Sequence, residues 1–164
     1  MKTRWGFGLL LLAAVLVPMA QAAGSVVPSP EALFTALGQQ PTRSYEVDDG
    51  KGWLFATPGR DFRDKTKQDP ESGPRFSVEY RGKPLSRINL TLQQFNDDPA
   101  QQENNAKVGR LFAKALEAIT GSGETISYLE SGKISGKMVG YVNGYRINAS
   151  PASGGARFVT IRRE

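Results

Sequence analysis

Two stretches of the chain alternate apolar and polar residues with the period of two that is typical of a half-buried strand. In residues 75–81, and again in residues 87–93, every second residue is apolar. Such a strand has one face on a core and one face in water, as in an antiparallel sheet that is covered on one side only. The pattern predicts two antiparallel strands joined by a turn over residues 81–84.

A long amphipathic helix that covers this sheet is predicted between Asp98 and Gly121. Asp98 is a favourable N-cap, and Pro99 suits the first helical position. Apolar residues then recur at spacings of three and four, which places them on one side of a helix. They are Val108, Leu111, Phe112, Ala115, Leu116 and Ile119. We therefore predict a helix over about residues 99–120, and a similar, shorter pattern predicts one over about residues 30–37.

Shorter stretches with strand character lie on either side of the long helix. They are residues 43–47, 52–56, 125–129, 146–150 and 157–162. Arg157, Arg162 and Arg163 lie in this last stretch or directly after it, and such a cluster is typical of a solvated edge strand, where charge discourages aggregation.

Glycine occupies every fourth position in the stretch that precedes residues 146–150. The four residues are Gly132, Gly136, Gly140 and Gly144. Residues four apart in a strand share a face, so the first three are expected on the apolar side, beneath the long helix.

A hairpin is predicted at Asn143-Gly144, a strong signal for a two-residue type I′ turn. This turn would pair Val142 with Tyr145, and Tyr141 with Arg146. The register sorts the side chains by face. The expected apolar face consists of Met138, Gly140, Val142, Tyr145, Ile147 and Ala149.

Runs of strands separated by one long helix predict an α+β fold. We expect a mostly antiparallel sheet of about six to eight strands, with the long helix on one face. Residues 23–164 are expected to form a single domain of this kind.

The N-terminus predicts export. Residues 1–22 combine a positive start with an apolar run that is too short to span a bilayer, as in a Sec-type signal peptide, with cleavage expected after Ala22. The chain contains no cysteine, which excludes a lipid anchor on a mature N-terminal cysteine and excludes disulfides. We expect a periplasmic or secreted protein, with a bacterial envelope favoured and no stable membrane anchor after cleavage.

Charge argues against nucleic acid as a partner. Without the signal peptide, 19 basic and 16 acidic residues remain, and the two signs are mixed along most of the chain. Nucleic-acid-binding proteins usually gather Lys and Arg on one face.

Residues 57–74 are a proline- and glycine-containing segment of alternating charges, which predicts a long loop of the kind that is often functional or disordered.

The absence of histidine and cysteine removes the common catalytic triads and the usual zinc, copper and haem ligand sets. The candidate carboxylates are Asp61, Asp64, Glu79 and Glu124, and none lies in an apolar context that would raise its pKa. The glycine spacing does not match a P-loop. We therefore expect no cofactor, no metal site and no enzymatic activity, while catalysis by carboxylates or by a Ser-Lys pair stays open.

Two binding functions follow from this elimination. The first is an exported, non-enzymatic protein that binds another envelope or secreted protein through the polar sheet face and the 57–74 loop. Its candidate contact residues are Arg60, Asp61, Arg63, Asp64, Tyr141 and Arg146. The alternative is a carrier of a small apolar ligand, held between the long helix and the glycine-bearing sheet. Its candidate groove residues are Trp53, Tyr128, Gly136, Gly140 and Tyr145.

Overall fold

Nine strands and three helices form the part of the chain that the computed structural model describes, which is residues 27–61, 64, 66–151 and 153–164. The helices are α1 (Pro30–Leu37), α2 (Gln102–Thr120), which a 3-10 turn at Pro99–Gln101 precedes, and α3 (Glu124–Glu130). The strands are β1 (Arg43–Val47), β2 (Gly50–Ala56), β3 (Gly59–Arg60), β4 (Gln68–Asp69), β5 (Arg75–Arg81), β6 (Arg87–Gln93), β7 (Val139–Val142), β8 (Tyr145–Ala149) and β9 (Ala156–Arg163). The predicted signal peptide lies outside the described residues.

Seven strands form one antiparallel sheet in the order β1-β2-β5-β6-β9-β8-β7, and β3 pairs separately with β4. The predicted α+β fold with a mostly antiparallel sheet is therefore confirmed. The strands predicted from alternation are β5 and β6, which pair along their whole length from Phe76 opposite Leu92 to Tyr80 opposite Ile88.

The helices lie on one face of the sheet. Phe34 of α1 packs edge-on against Trp53 and Phe55 of β2, and Phe112 of α2 packs against Phe76 of β5. The apolar side chains predicted for the long helix are all buried. In the core they meet the apolar halves of β5, β6, β8 and β9.

Both predicted helices are present and end at the expected residues, although the first three residues predicted for the long helix form the 3-10 turn at Pro99–Gln101. Asp98 Oδ1 accepts a hydrogen bond from the Ala100 backbone nitrogen at 2.9 Å, and Gly121 adopts the left-handed conformation with φ 68°. Since a side chain is unfavourable at that φ, glycine at this position lets the chain turn away from the helix axis. None of the helices in the described chain is long and apolar enough to cross a bilayer.

Residues 125–129 belong to helix α3, so the prediction of a strand there is wrong. The composition is strand-like, but Thr125 and Leu129 are four residues apart and both are buried. The Thr125 hydroxyl lies 3.0 Å from the hydroxyl of Thr120, at the end of α2. The short connection through Gly121 allows this segment to pack as a helix beside α2, and tertiary packing outweighs its strand propensity.

The prediction that Gly132, Gly136 and Gly140 share one strand face is also wrong. Strand β7 begins only at Val139, and the first two glycines lie in turns with φ 73° and 62°. Met138 was expected on the apolar face, but its side chain is 54% exposed. It lies one residue before the strand, where the alternation of faces does not apply.

The register of the Asn143-Gly144 hairpin is confirmed. Val142 pairs with Tyr145, and Tyr141 with Arg146. Asn143 and Gly144 both have positive φ, at 49° and 79°, as a type I′ turn requires.

Strand β9 is not an edge strand, as the cluster of Arg157, Arg162 and Arg163 had suggested. It lies between β6 and β8 and pairs with both. The edges of the sheet are β1 and β7. The arginines of β9 therefore need another explanation.

Candidate binding face of the sheet

The second face of the sheet, which we call the open face, carries no helix among the described residues and is mostly polar. Directly paired residues of an antiparallel sheet point to the same face, so the register defines its rows. One row contains Arg81 opposite Arg87, and Arg162 opposite Arg146. Arg87 and Arg162 continue the β6–β9 register by one position. Four arginines therefore lie on four adjacent strands, within about 15 Å at the usual spacing of strands.

The β5–β6 end of this arginine row is well compensated. Arg81 forms ion pairs with Asp49 and Glu79, both at 2.9 Å, and Arg87 lies 3.6 Å from Asp49. Hydrogen bonding to Glu79, supported by Asp49, raises the pKa of the Arg81 guanidinium above its ordinary value. Glu79 also accepts hydrogen bonds from Tyr45 at 3.2 Å and, more weakly, from Asn89 at 3.4 Å.

The β8–β9 end of the row is poorly compensated. Arg146 reaches only Glu164, at 3.9 Å, and Arg162 is exposed with no ion pair to another described residue. Like charges directly opposite each other on neighbouring strands destabilise a sheet. The pairing of Arg146 with Arg162 is therefore unfavourable, and among the described residues only the long contact between Arg146 and Glu164 offsets it.

Three polar atoms of open-face side chains are shielded from solvent and have no hydrogen-bond partner among the described residues. They are Nε of Arg87, Nε of Arg146 and Oδ1 of Asn148. Arg146 and Asn148 are successive open-face residues of β8. A shielded donor or acceptor without a partner is unfavourable, and two of the three, in Arg146 and Asn148, lie at the poorly compensated end of the row.

Two aromatic side chains border the same region and are exposed. Tyr141 of β7 is 64% exposed and Phe158 of β9 is 54% exposed. Phe158 and Arg162 lie on one side of β9, four residues apart. Aromatic residues and arginine are the types that are enriched where proteins bind one another.

The candidate contact residues predicted from the sequence fall into two separate places. Tyr141 and Arg146 are a cross-strand pair on the open face. Arg60, Asp61 and Asp64 lie in the segment between β2 and β5, three or more strands away across the sheet. Arg63 is outside the described residues.

The two ends of the 57–74 segment are hydrogen-bonded to each other. Thr57 Oγ1 donates a hydrogen bond to the Pro74 carbonyl at 2.6 Å, and Ser72 and Gly73 are buried. Near its tip, hydrogen bonds from the Thr66 hydroxyl and backbone, together with Lys67, lower the pKa of the Asp64 carboxyl. A carboxyl held ionised in this way does not suit a general acid, which needs a raised pKa.

The five candidate groove residues lie in different surroundings in the described chain. Trp53 packs between Phe34 and Tyr80, and Tyr145 is buried in the core with 1% exposure. Lys133 lies over the ring of Tyr128, with its Nζ 5.1 Å from the ring centroid.

Gly136 and Gly140, the two glycines among the candidate groove residues, are close to residues outside the long helix. A Cβ on Gly140 would overlap the side chain of Ile134, and one on Gly136 would only contact Pro151. Ile134 is 1% exposed, so it fills the space that the missing side chain of Gly140 leaves.

Sequence reasoning missed Arg81, Arg87, Phe158 and Arg162 as members of one surface. The alternation within β5 and β6 places Arg81 and Arg87 on their polar faces. The pairing of β6 with β9, which joins residues about 70 positions apart, is not visible in a local pattern.

In the described chain, no group of three or more Asp or Glu side chains is placed to hold a metal ion.

No protein-family model matches this sequence, and no curated protein or solved structure is significantly similar to it.

Proposed function

We propose that this chain is an exported, non-enzymatic protein that binds another envelope or secreted protein through the open face of its sheet. The observation that carries the proposal is the poorly compensated arginine pair of β8 and β9, with shielded, unpartnered polar atoms beside it and exposed aromatic side chains around it. Export rests on the sequence of residues 1–22.

The charges indicate what the partner presents. Asp49 and Glu79 form ion pairs with Arg81 and Arg87. In the described part of the chain, the positive charges of Arg146 and Arg162 are balanced only by the long contact between Arg146 and Glu164. A partner carboxylate at this position would relieve the repulsion between the two guanidinium groups. The partner surface is therefore expected to combine acidic side chains with apolar side chains that cover Phe158 and Tyr141.

Site-specific photocrosslinking tests this proposal. The full-length chain carries benzoylphenylalanine at position 158 or at position 141 and is expressed in its own host, where it is processed as usual. We expect both positions to crosslink to the same protein. The same group at Leu85, which is 42% exposed and lies in the turn between β5 and β6, is expected to give no such product.

A charge reversal provides the matched control. Arg162→Glu is expected to abolish the crosslink from position 158, whereas Arg110→Glu on the exposed side of α2 makes the same change in net charge and is expected to leave it intact. Equal products from Leu85 and from the open face, no product from the open face, or equal effects of the two reversals would each contradict the proposal.

The 57–74 loop is the second part of the proposed surface, because its last residues border the open face. Glu71 pairs with Arg43 at 2.8 Å, and its carbonyl accepts a hydrogen bond from Arg75 at 3.3 Å. Both arginines are on the open face by register. A partner that covers the whole face would therefore contact this corner as well.

Deletion of residues 60–72 is expected to lower the crosslink yield from position 158 while the protein still unfolds cooperatively. The deletion is structurally mild, because the backbones of Gly59 and Gly73 are already in contact and can be joined. Yield is read from the crosslinked band, and cooperativity from thermal unfolding by circular dichroism. An unchanged yield would remove the loop from the surface.

A further inference from the structure

A groove of about 530 Å³ lies on the helix side of the sheet, well away from the open face. Its floor is the start of β9 and the end of β6, and its walls are α2 and α3. Phe112, Ala113, Ile126 and Leu92 give it an apolar part. The volume is within the range of sites that hold small molecules.

Several of the residues that line this groove are small. Gly109 and Ala113 lie one helical turn apart on the side of α2 that faces it. Glycine inside a helix costs up to about 1 kcal/mol relative to alanine, so an interior glycine usually has a packing or functional reason. At the opposite wall, Gly155 has φ 76° and approaches the Gln94 carbonyl too closely for a side chain.

Arg157 supplies a positive charge to the groove. It pairs with Leu92 across β6 and β9, so its side chain is on the helix face of the sheet, at the end of a row that is otherwise apolar. It is half-buried and forms no ion pair with another described residue. Glu130 of α3 also lines the groove, but it is exposed and does not come within ion-pair distance of Arg157.

We propose that this groove binds a small amphipathic anion, with its carboxylate or similar acidic group on Arg157 and its apolar part against Phe112, Ala113 and Ile126. An unpaired guanidinium that is half-withdrawn from water gains from an anion more than an exposed one does. The ligand differs from the purely apolar one expected from the sequence, and the site does not depend on the proposed protein binding.

Titration of the ¹⁵N-labelled protein with decanoate, followed by amide chemical shifts, tests the assignment. We expect saturable shifts of Gly109, Ala113 and Gly155. Decan-1-ol has the same chain length without the charge and is expected to bind about tenfold more weakly or worse, since it lacks the charge-assisted hydrogen bond.

Three variants distinguish the contribution of the groove's charged side chains to binding from the contribution of its shape. Arg157→Gln is expected to weaken decanoate binding about tenfold or more while leaving decan-1-ol unaffected. Glu130→Gln removes a repelling carboxylate and is expected to tighten decanoate binding. Ala113→Phe fills the groove and is expected to abolish binding of both probes.

The proposal is overturned if decanoate shifts residues outside the groove, if decan-1-ol binds as tightly, or if a folded Arg157→Gln binds decanoate like the wild type. Should Arg157→Gln not fold, Arg157→Lys serves in its place. It keeps the charge but loses the bidentate geometry, and an intermediate affinity is expected. Unchanged affinity in Arg157→Lys would contradict a guanidinium contact.

Discussion

Replacing Phe76 by alanine is expected to lower the free energy of unfolding by about 3–5 kcal/mol, the usual cost of removing a buried phenylalanine. Phe76 is fully buried at the centre of the sheet, and its ring stacks on Phe55 with centroids 4.9 Å apart. Phe112 of α2 contacts it from above, edge-on at 6.3 Å. The substitution would therefore leave a cavity where helix and sheet meet.

Phe158→Ala is the matched control, because it removes the same side chain from the open face. That ring is 54% exposed, so we expect a change of no more than about 0.5 kcal/mol. Both values come from urea unfolding followed by circular dichroism. A protein of this size has about 5–15 kcal/mol of total stability, so the Phe76 variant should be markedly less stable at room temperature. Similar losses in the two variants would mean that the open face is covered.

The elements that local patterns specify strongly were predicted correctly. Alternation in β5 and β6, the capping residues of the long helix and the Asn143-Gly144 turn each involve residues close in sequence. Each signal also agrees with the final packing, which is why the hairpin register could be derived residue by residue. The fold class followed from the order of these elements.

The wrong predictions concern segments whose secondary structure or position in the sheet is determined by contacts with residues distant in sequence. Residues 125–129 form a helix because α2 offers a surface for Thr125 and Leu129, which a local reading does not include. Strand β9 became an interior strand because β6 and β8 pair on either side of it. The arginine row and the groove both depend on that insertion, so neither surface could be recognised before the sheet order was known.

Strand β9 links the two proposed binding surfaces. Its alternation places Arg157 on the helix side and Phe158 on the open face, the reverse of what burial alone would favour. A register shifted by one residue would put Phe158 in the core, but it would also expose Val159 and Ile161, which are each 1% exposed here. The burial of Val159 and Ile161 thus determines which face Arg157 and Phe158 occupy. Each of these two residues lies at one of the proposed sites.

Gly140→Ala is expected to lower the free energy of unfolding by about 1–3 kcal/mol, as overpacking of a core typically does. The new Cβ would overlap Cδ1 and Cγ1 of Ile134, which is 1% exposed and held by a hydrogen bond from its backbone nitrogen to the Tyr128 carbonyl at 3.1 Å. Ile134→Ala alone is expected to cost about 2–5 kcal/mol, because it leaves the space beside Gly140 empty.

The double variant carries the decisive result, because each substitution relieves the defect that the other creates. We expect its loss to be smaller than the sum of the single losses by about 0.5–3 kcal/mol, which is the range for residues in direct contact. Gly123→Ala is the control, since its φ of −69° suits alanine and a Cβ there meets nothing within 4 Å. It is expected to be additive with Ile134→Ala in the same urea titrations. Additive losses for Gly140 and Ile134 would mean that this isoleucine does not fill the space left by the glycine, and that a cavity beneath β7 is open after all.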